Sequence, residues 1–132
     1  TCRDWSSDVC SSDLLQPFDV QTTGMGVFTG EAPVLYLPVV KNRQLLETHE
    51  RVWEAIYPFL NDANLYYSPQ RWIPHVTLAF RDLEAHRLAC AVEGLIAVPL
   101  EFSITVNHFE FAFYAGGNLE RAARFWFGGG GK

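Results

Sequence analysis

Long apolar runs are missing from this sequence. No stretch approaches the roughly 18–20 consecutive apolar residues that a membrane-crossing helix requires. The amino-terminal end has no basic segment followed by an apolar one, so nothing there has the form of a secretory signal. Positive charge is scarce: ten Lys and Arg stand against fifteen Asp and Glu, for a formal net charge of −5. That balance argues against broad, sequence-independent binding of nucleic acid, which depends on neutralising many phosphates at once. It leaves room for a small site that holds one phosphate or one RNA end. Cys2, Cys10 and Cys90 make neither a zinc spacing nor an even disulfide framework. A reducing compartment fits them, and a cytoplasmic location is the default expectation. The four histidines show no His-x-x-x-His or His-x-His spacing and no supporting carboxylate cluster, so neither a metal nor another cofactor is expected.

What is present is a chain of 132 residues, 48% hydrophobic and 14% aromatic, with its apolar residues grouped in segments. This is the profile of one soluble globular domain with a real core. Residues 1–14 stand apart from it. Four serines, three aspartates and two cysteines give neither a helical nor a strand period there. The run from Arg3 to Leu14 closely resembles the conceptual translation of a sequencing adapter; the alternative is a genuine acidic, disordered tail. On the first reading the natural protein is interrupted near Leu15, and Cys2 and Cys10 carry no functional meaning. The expected organisation is then a non-native segment over 1–14, a truncated domain over 15–127 and a flexible glycine-rich tail over 128–132.

Within the domain, residues 18–22 alternate apolar and polar as a half-buried strand should. Residues 24–31 carry three glycines and predict a turn or bulge. Residues 34–40 form an apolar run of strand length in which Pro38 marks an edge or a strand end. From 42 to 60 the period lengthens, and Leu45, Leu46, His49, Val52, Trp53, Ile56, Phe59 and Leu60 define one helix face. Residues 71–80 predict another strand. Asp82 can cap a helix running to about residue 97, with Leu88, Val92, Leu95 and Ile96 as its buried stripe and Cys90 in the core. Strand character returns over 102–106 and 109–114, Gly116-Gly117-Asn118 predicts a hairpin turn, and 122–127 a last short strand. The order β-β-α-β-α-β-β-β predicts an α+β domain: a mixed, largely antiparallel sheet with helices on one face.

The residues most able to do chemistry are His75 and Thr77. Two apart on a strand, they project from one face while Val76 and Leu78 point to the other. A hydroxyl that can donate to a phosphoryl oxygen, beside an imidazole that moves protons near neutral pH, makes a sensible phosphate site. His-x-Thr alone is a weak motif, and an ordinary solvated strand face is the commoner meaning. The whole phrase Arg71-Trp72-Ile73-Pro74-His75-Val76-Thr77-Leu78-Ala79, however, resembles the second signature of the two-histidine (2H) phosphoesterase superfamily, the 2'-5' RNA ligase-like proteins. Upstream, Phe18, Gly24-Met25-Gly26-Val27-Phe28, Pro33-Val34-Leu35-Tyr36-Leu37-Pro38-Val39 and the amphipathic helix follow in the matching order. The likeness runs from about Phe18 to Phe80 and more weakly to Tyr114.

This resemblance implies two similar lobes, each contributing a His-x-Thr strand to a shared cleft. It implies metal-independent chemistry on 2',3'-cyclic phosphates or 2'-5' phosphodiester linkages of RNA or small nucleotides. One histidine would serve as general base and the other as general acid, with the threonines holding the phosphate. His75 and Thr77 carry over; the first-lobe pair does not, because its place would lie upstream of Phe18. None of His49, His86 and His108 is followed two residues later by threonine. His49 belongs to the helix stripe, and His86 is expected to be exposed. Arg71 and Arg81 could contact phosphates, and Tyr66, Tyr67 and Trp72 could stack a base, against plain solvation or packing. The parent protein is thus expected to be a phosphoesterase or ligase acting on RNA ends or small nucleotides, with no membrane, metal or obligate protein partner. This chain would carry an incomplete two-lobed fold with little activity, an open sheet edge and exposed apolar surface. A non-catalytic nucleotide- or phosphate-binding module of the same fold is the competing reading.

Overall fold

Alternation along the first strand sets one side of the core. In the computed structural model, which describes residues 15–60, 64–80 and 83–129, β1 (Phe18–Gln21) buries Phe18 and Val20 and exposes Asp19 and Gln21. It pairs antiparallel with β5 (Ser103–Val106), placing Asp19 opposite Thr105, whose hydroxyl donates to the Asp19 carboxylate at 2.7 Å. Phe18, Val20 and Phe127 form a buried cluster, against which Leu15, Val39, Leu45, Val106 and Phe109 pack.

A second ladder carries the site. β3 (Val34–Pro38) is its central strand, antiparallel to β2 (Gly26–Phe28) on one side and to β4 (His75–Phe80) on the other. Leu35 and Leu37 are buried on one face, and Tyr36 stands on the opposite face between them. Pro38 ends the strand, one of the two places expected for it. The expected turn over 24–31 is instead partly β2: glycine lowers strand propensity, but pairing with β3 overrides that preference. The fourth strand begins at His75 rather than Arg71, because residues 64–72 fold into local turns.

Pairing of β3 with β4 starts in simple register, Pro38 with His75, Leu37 with Val76 and Tyr36 with Thr77. It then shifts, so that Leu35 meets Ala79 and Val34 meets Phe80. Leu78 is the extra residue of a β-bulge. Among the described residues β4 is an outer strand of this ladder, and Val76, Leu78 and Phe80 are exposed.

Thr22, 2% exposed, ties the two ladders together. It bridges to Val39 beyond the ends of β1 and β3, its hydroxyl donates to the Leu100 carbonyl at 2.8 Å, and it accepts from the Phe102 amide at 2.8 Å. Burial of that hydroxyl is offset because both its donor and its acceptor capacity are used. The third ladder is a hairpin of β6 (His108–Ala115) and β7 (Asn118–Trp126). Gly116 and Gly117 both adopt positive φ, 58° and 85°, as a two-residue hairpin turn demands. β7 therefore starts at Asn118, earlier than the short strand expected over 122–127. All the strand pairs described are antiparallel, and with two α-helices the domain is of the α+β class.

Helix α1 (Arg43–Ile56) begins where Asn42 accepts the Leu45 amide at 2.9 Å and donates to the Asp19 carbonyl at 2.8 Å, fixing the helix start to β1. Its expected apolar face is only half-buried at Leu45, His49, Val52, Trp53 and Ile56, and Leu46, Phe59 and Leu60 are exposed. Pro58, which cannot continue the α-helical ladder, falls in a 3-10 turn (Tyr57–Phe59) that ends it. Helix α2 (Ala85–Leu95) half-buries Leu88, Val92 and Leu95 as expected, but Ile96 is 71% exposed. Cys90 is also exposed rather than core: two positions past Leu88 on a 3.6-residue period, it turns to the opposite side. Asp82, the expected cap, lies outside the described residues, as do residues 1–14 and 130–132. No helix of the described residues is long and apolar enough to cross a membrane.

Candidate active site

β4 presents His75 and Thr77 on one face, and the register puts Tyr36 directly beside Thr77 and Gly26 on the far side of Tyr36. Pro74, buried, leads the chain into the strand, and its carbonyl accepts the Val39 amide at 3.0 Å, so the approach is held to β3 one residue before His75. The Leu78 bulge returns Phe80 to the same side as Thr77, three residues on, where strict alternation would send it to the other.

The Nδ1 atom of His75 lies 2.7 Å from the Ile73 carbonyl oxygen. A carbonyl can only accept, so Nδ1 carries the hydrogen and donates it. In the neutral ring Nε2 is then the nitrogen with the free lone pair, able to take a proton from water or a hydroxyl. Phe28 and Tyr36 flank the imidazole, both edge-on, with ring centroids 5.0 Å and 5.3 Å away, and stack on each other at 4.1 Å.

The opposite wall is built by the chain between α1 and β4. Asn64 accepts the Tyr66 amide at 3.0 Å and starts a 3-10 turn (Leu65–Tyr67). Buried Ser68 then closes that turn and opens the next: its hydroxyl and amide donate to the Leu65 carbonyl, and its own carbonyl accepts the Arg71 and Trp72 amides at 3.0 and 2.9 Å. Two short polar side chains thus organise a loop with several exposed aromatics. Tyr66 and Tyr67 are 66% and 58% exposed, so they are available surface rather than packing. The Arg71 guanidinium lies 4.5 Å from the centre of the Tyr66 ring, a cation–π contact that restrains an otherwise mobile side chain. Trp72 is braced from behind by His49 of α1, the rings parallel within 8° and 3.8 Å apart. Partial burial holds the His49 imidazole below its ordinary pKa, and the charge of Lys41 lowers it further, while a hydrogen bond to the Tyr67 backbone opposes both.

These walls enclose an open cleft of about 310 Å³ lined by His75, Thr77, Tyr67, Arg71 and Trp72, together with Tyr66, Asn64, Ile73, Phe28, Val34 and Phe80. Six of the seven candidates chosen from sequence, Tyr66 among them, therefore meet in one place; the seventh, Arg81, lies outside the described residues. The volume falls at the lower end of the roughly 300–1,000 Å³ usual for small-molecule sites. The described lining contains a guanidinium, an imidazole, an amide and three hydroxyls but no carboxylate, a composition suited to an anion beside a flat ring. His86 is exposed beside Glu84, and His108 lies in the β6–β7 hairpin near Glu110 and Trp126.

Phe28 and Tyr36 were not singled out from sequence. The signal was present for Tyr36: it sits between two leucines of a central strand, so the face opposite the core had to carry a large ring. No curated protein matches the chain. The sequence profile of the 2'-5' RNA ligase superfamily matches residues 8–118, from within the serine- and aspartate-rich stretch to the first residue of β7. The match takes in the whole cleft, and the chain belongs to the 2'-5' RNA ligase superfamily.

Proposed function

We propose that the protein from which this chain derives is a metal-independent phosphoesterase or ligase acting on 2',3'-cyclic phosphates or 2'-5' phosphodiester linkages of RNA or nucleotides, and that this chain supplies one half of its acid–base pair. The observation that carries the reading is the Ile73 carbonyl on His75 Nδ1, which leaves the Nε2 lone pair free to move a proton on the strand face that also carries Thr77. In this role Nε2 takes the proton of the attacking water or ribose hydroxyl, or returns one to the leaving oxygen. The Thr77 hydroxyl donates to a non-bridging phosphoryl oxygen and steadies the charge that grows there. Arg71 balances the phosphate charge from across the cleft, and Tyr67 and Trp72 stack the adjoining base. Superfamily membership supports the substrate class.

Only His75 among the four histidines has the threonine partner, so the chain by itself performs half of the proton traffic. A general acid or base contributes roughly 10²–10⁴ in rate, and the 132-residue chain is expected to turn over 2',3'-cyclic nucleotides weakly or not at all. The unpaired motif also favours a second reading, a cleft that binds a nucleotide phosphate without turnover. Titration of the chain with a nucleoside 2'-monophosphate, followed by incubation with the 2',3'-cyclic nucleotide, separates the two. Both readings require binding that His75→Ala and Thr77→Val weaken; product formed by the natural protein and abolished by His75→Ala supports the enzyme. Binding or turnover indifferent to His75 overturns the proposal.

A further inference from the structure

Across the site face, three residues stand in one row at right angles to the strands: Gly26 on β2, Tyr36 on β3 and Thr77 on β4. The Tyr36 ring does not stand upright between its neighbours. A Cβ atom placed on Gly26 would lie 2.4 Å from Tyr36 Cζ, 2.6 Å from its hydroxyl oxygen and 2.7 Å from Cε2. The tip of the ring therefore lies over the bare backbone of Gly26, on the side away from Thr77. No other residue type leaves that space, and a glycine inside a strand commonly marks such a close approach. The same ring makes the edge-on contact to His75, and Phe28 stacks on its face at 4.1 Å.

We infer that Gly26 is a positioning residue: the notch it leaves parks the Tyr36 ring off the His75–Thr77 pair, keeping the phosphate position open and the imidazole held edge-on by Tyr36 and Phe28. The inference rests on the reading of His75 and Thr77 as a phosphate-handling pair. A methyl group at position 26 would force the ring tip up into Phe28 or across toward Thr77. Either movement shifts a wall of the imidazole, and the second also fills the space beside the threonine hydroxyl. Tyr36 and Gly26 thus set how large a group can sit over Thr77, without touching the proton being moved.

The test uses the 132-residue chain and two readouts: the ring resonances of His75 by NMR, and the affinity for a nucleoside 2'-monophosphate by calorimetry. Gly26→Ala is expected to move the His75 resonances and to weaken binding about tenfold, the effect of overpacking by one methyl when it is expressed at the ligand. Gly26→Ala/Tyr36→Leu should recover affinity to within about twofold of Tyr36→Leu alone, because the clash no longer exists. Should Gly26→Ala fail to fold, Tyr36→Trp poses the same question with the glycine intact, since the larger ring exceeds the notch; it should weaken binding and move the same resonances. Unchanged His75 resonances in Gly26→Ala, or in Tyr36→Trp where it is the variant tested, overturn the inference. So does a Gly26→Ala defect that Tyr36→Leu does not relieve. If the native chain binds no nucleotide, the phosphate reading falls, while the His75 resonances still decide the role of Gly26.

Discussion

Replacing Thr77 by valine removes one oxygen and almost nothing else, which makes it the sharpest probe of the cleft. Thr77 is exposed on an outer strand, and valine keeps both the β-branch and the volume, so the fold should tolerate the change within about 0.5 kcal/mol. If the hydroxyl donates to a phosphoryl oxygen, a hydrogen bond to a charged acceptor is lost, worth roughly 1.5–3 kcal/mol. At 1.4 kcal/mol per factor of ten, that corresponds to a Kd for a nucleoside 2'-monophosphate raised by about 10–150-fold. Isothermal titration at fixed pH and ionic strength measures it, with thermal unfolding of both proteins as the control. Thr77→Ser, which restores the donor, should lie close to the native affinity. A Thr77→Val protein that is folded and binds within about twofold of native would show that the threonine does not touch the phosphate.

Two further outcomes follow from the scaffold. Asn42→Ala removes both the cap on α1 and the hydrogen bond to the Asp19 carbonyl, and should destabilise the domain by about 1–2.5 kcal/mol in denaturant titration, with Asn42→Asp recovering the cap alone. His49 makes stability depend on pH: its folded pKa is held below the ordinary 6.5, so the unfolded chain binds its proton more readily. The contribution of the neutral ring is complete above that ordinary value and is lost as pH falls through the lowered folded one. Between pH 7.5 and 5.5 the native unfolding midpoint should therefore fall more steeply than that of His49→Gln; parallel slopes would contradict the assignment.

Much of the site was legible in sequence because strand alternation is a strict rule over short distances. It placed His75 and Thr77 on one face and Phe18 and Val20 on the buried side of β1, whereas the continuous apolar run of β3 did not say that Leu35 and Leu37 are the buried pair. Arg71 was chosen for flanking the strand and Tyr66, Tyr67 and Trp72 as aromatics just before it, and turns organised by Asn64 and Ser68 turn them to the same cleft. What sequence did not show depends on partners distant along the chain. β2 exists because β3 pairs with it, against the preference of its own glycine; Cys90 lies off the buried side of α2, and Ile96 stands exposed just past its last residue. The contact between Gly26 and Tyr36 joins residues ten positions apart, and no local pattern announces it.

The bulge at Leu78 changes how substitutions along β4 should be counted. Before it, odd-numbered positions face the cleft; after it, Phe80 does, so the parity of the strand reverses within six residues. An insertion or deletion of one residue on either side would carry a different set of side chains into the cleft without altering the length of the sheet by more than one rung. Variation among relatives at this strand, or a library built on it, samples two distinct reading frames of the same surface: one fixed around the histidine and threonine, the other free to reshape the far end of the cleft.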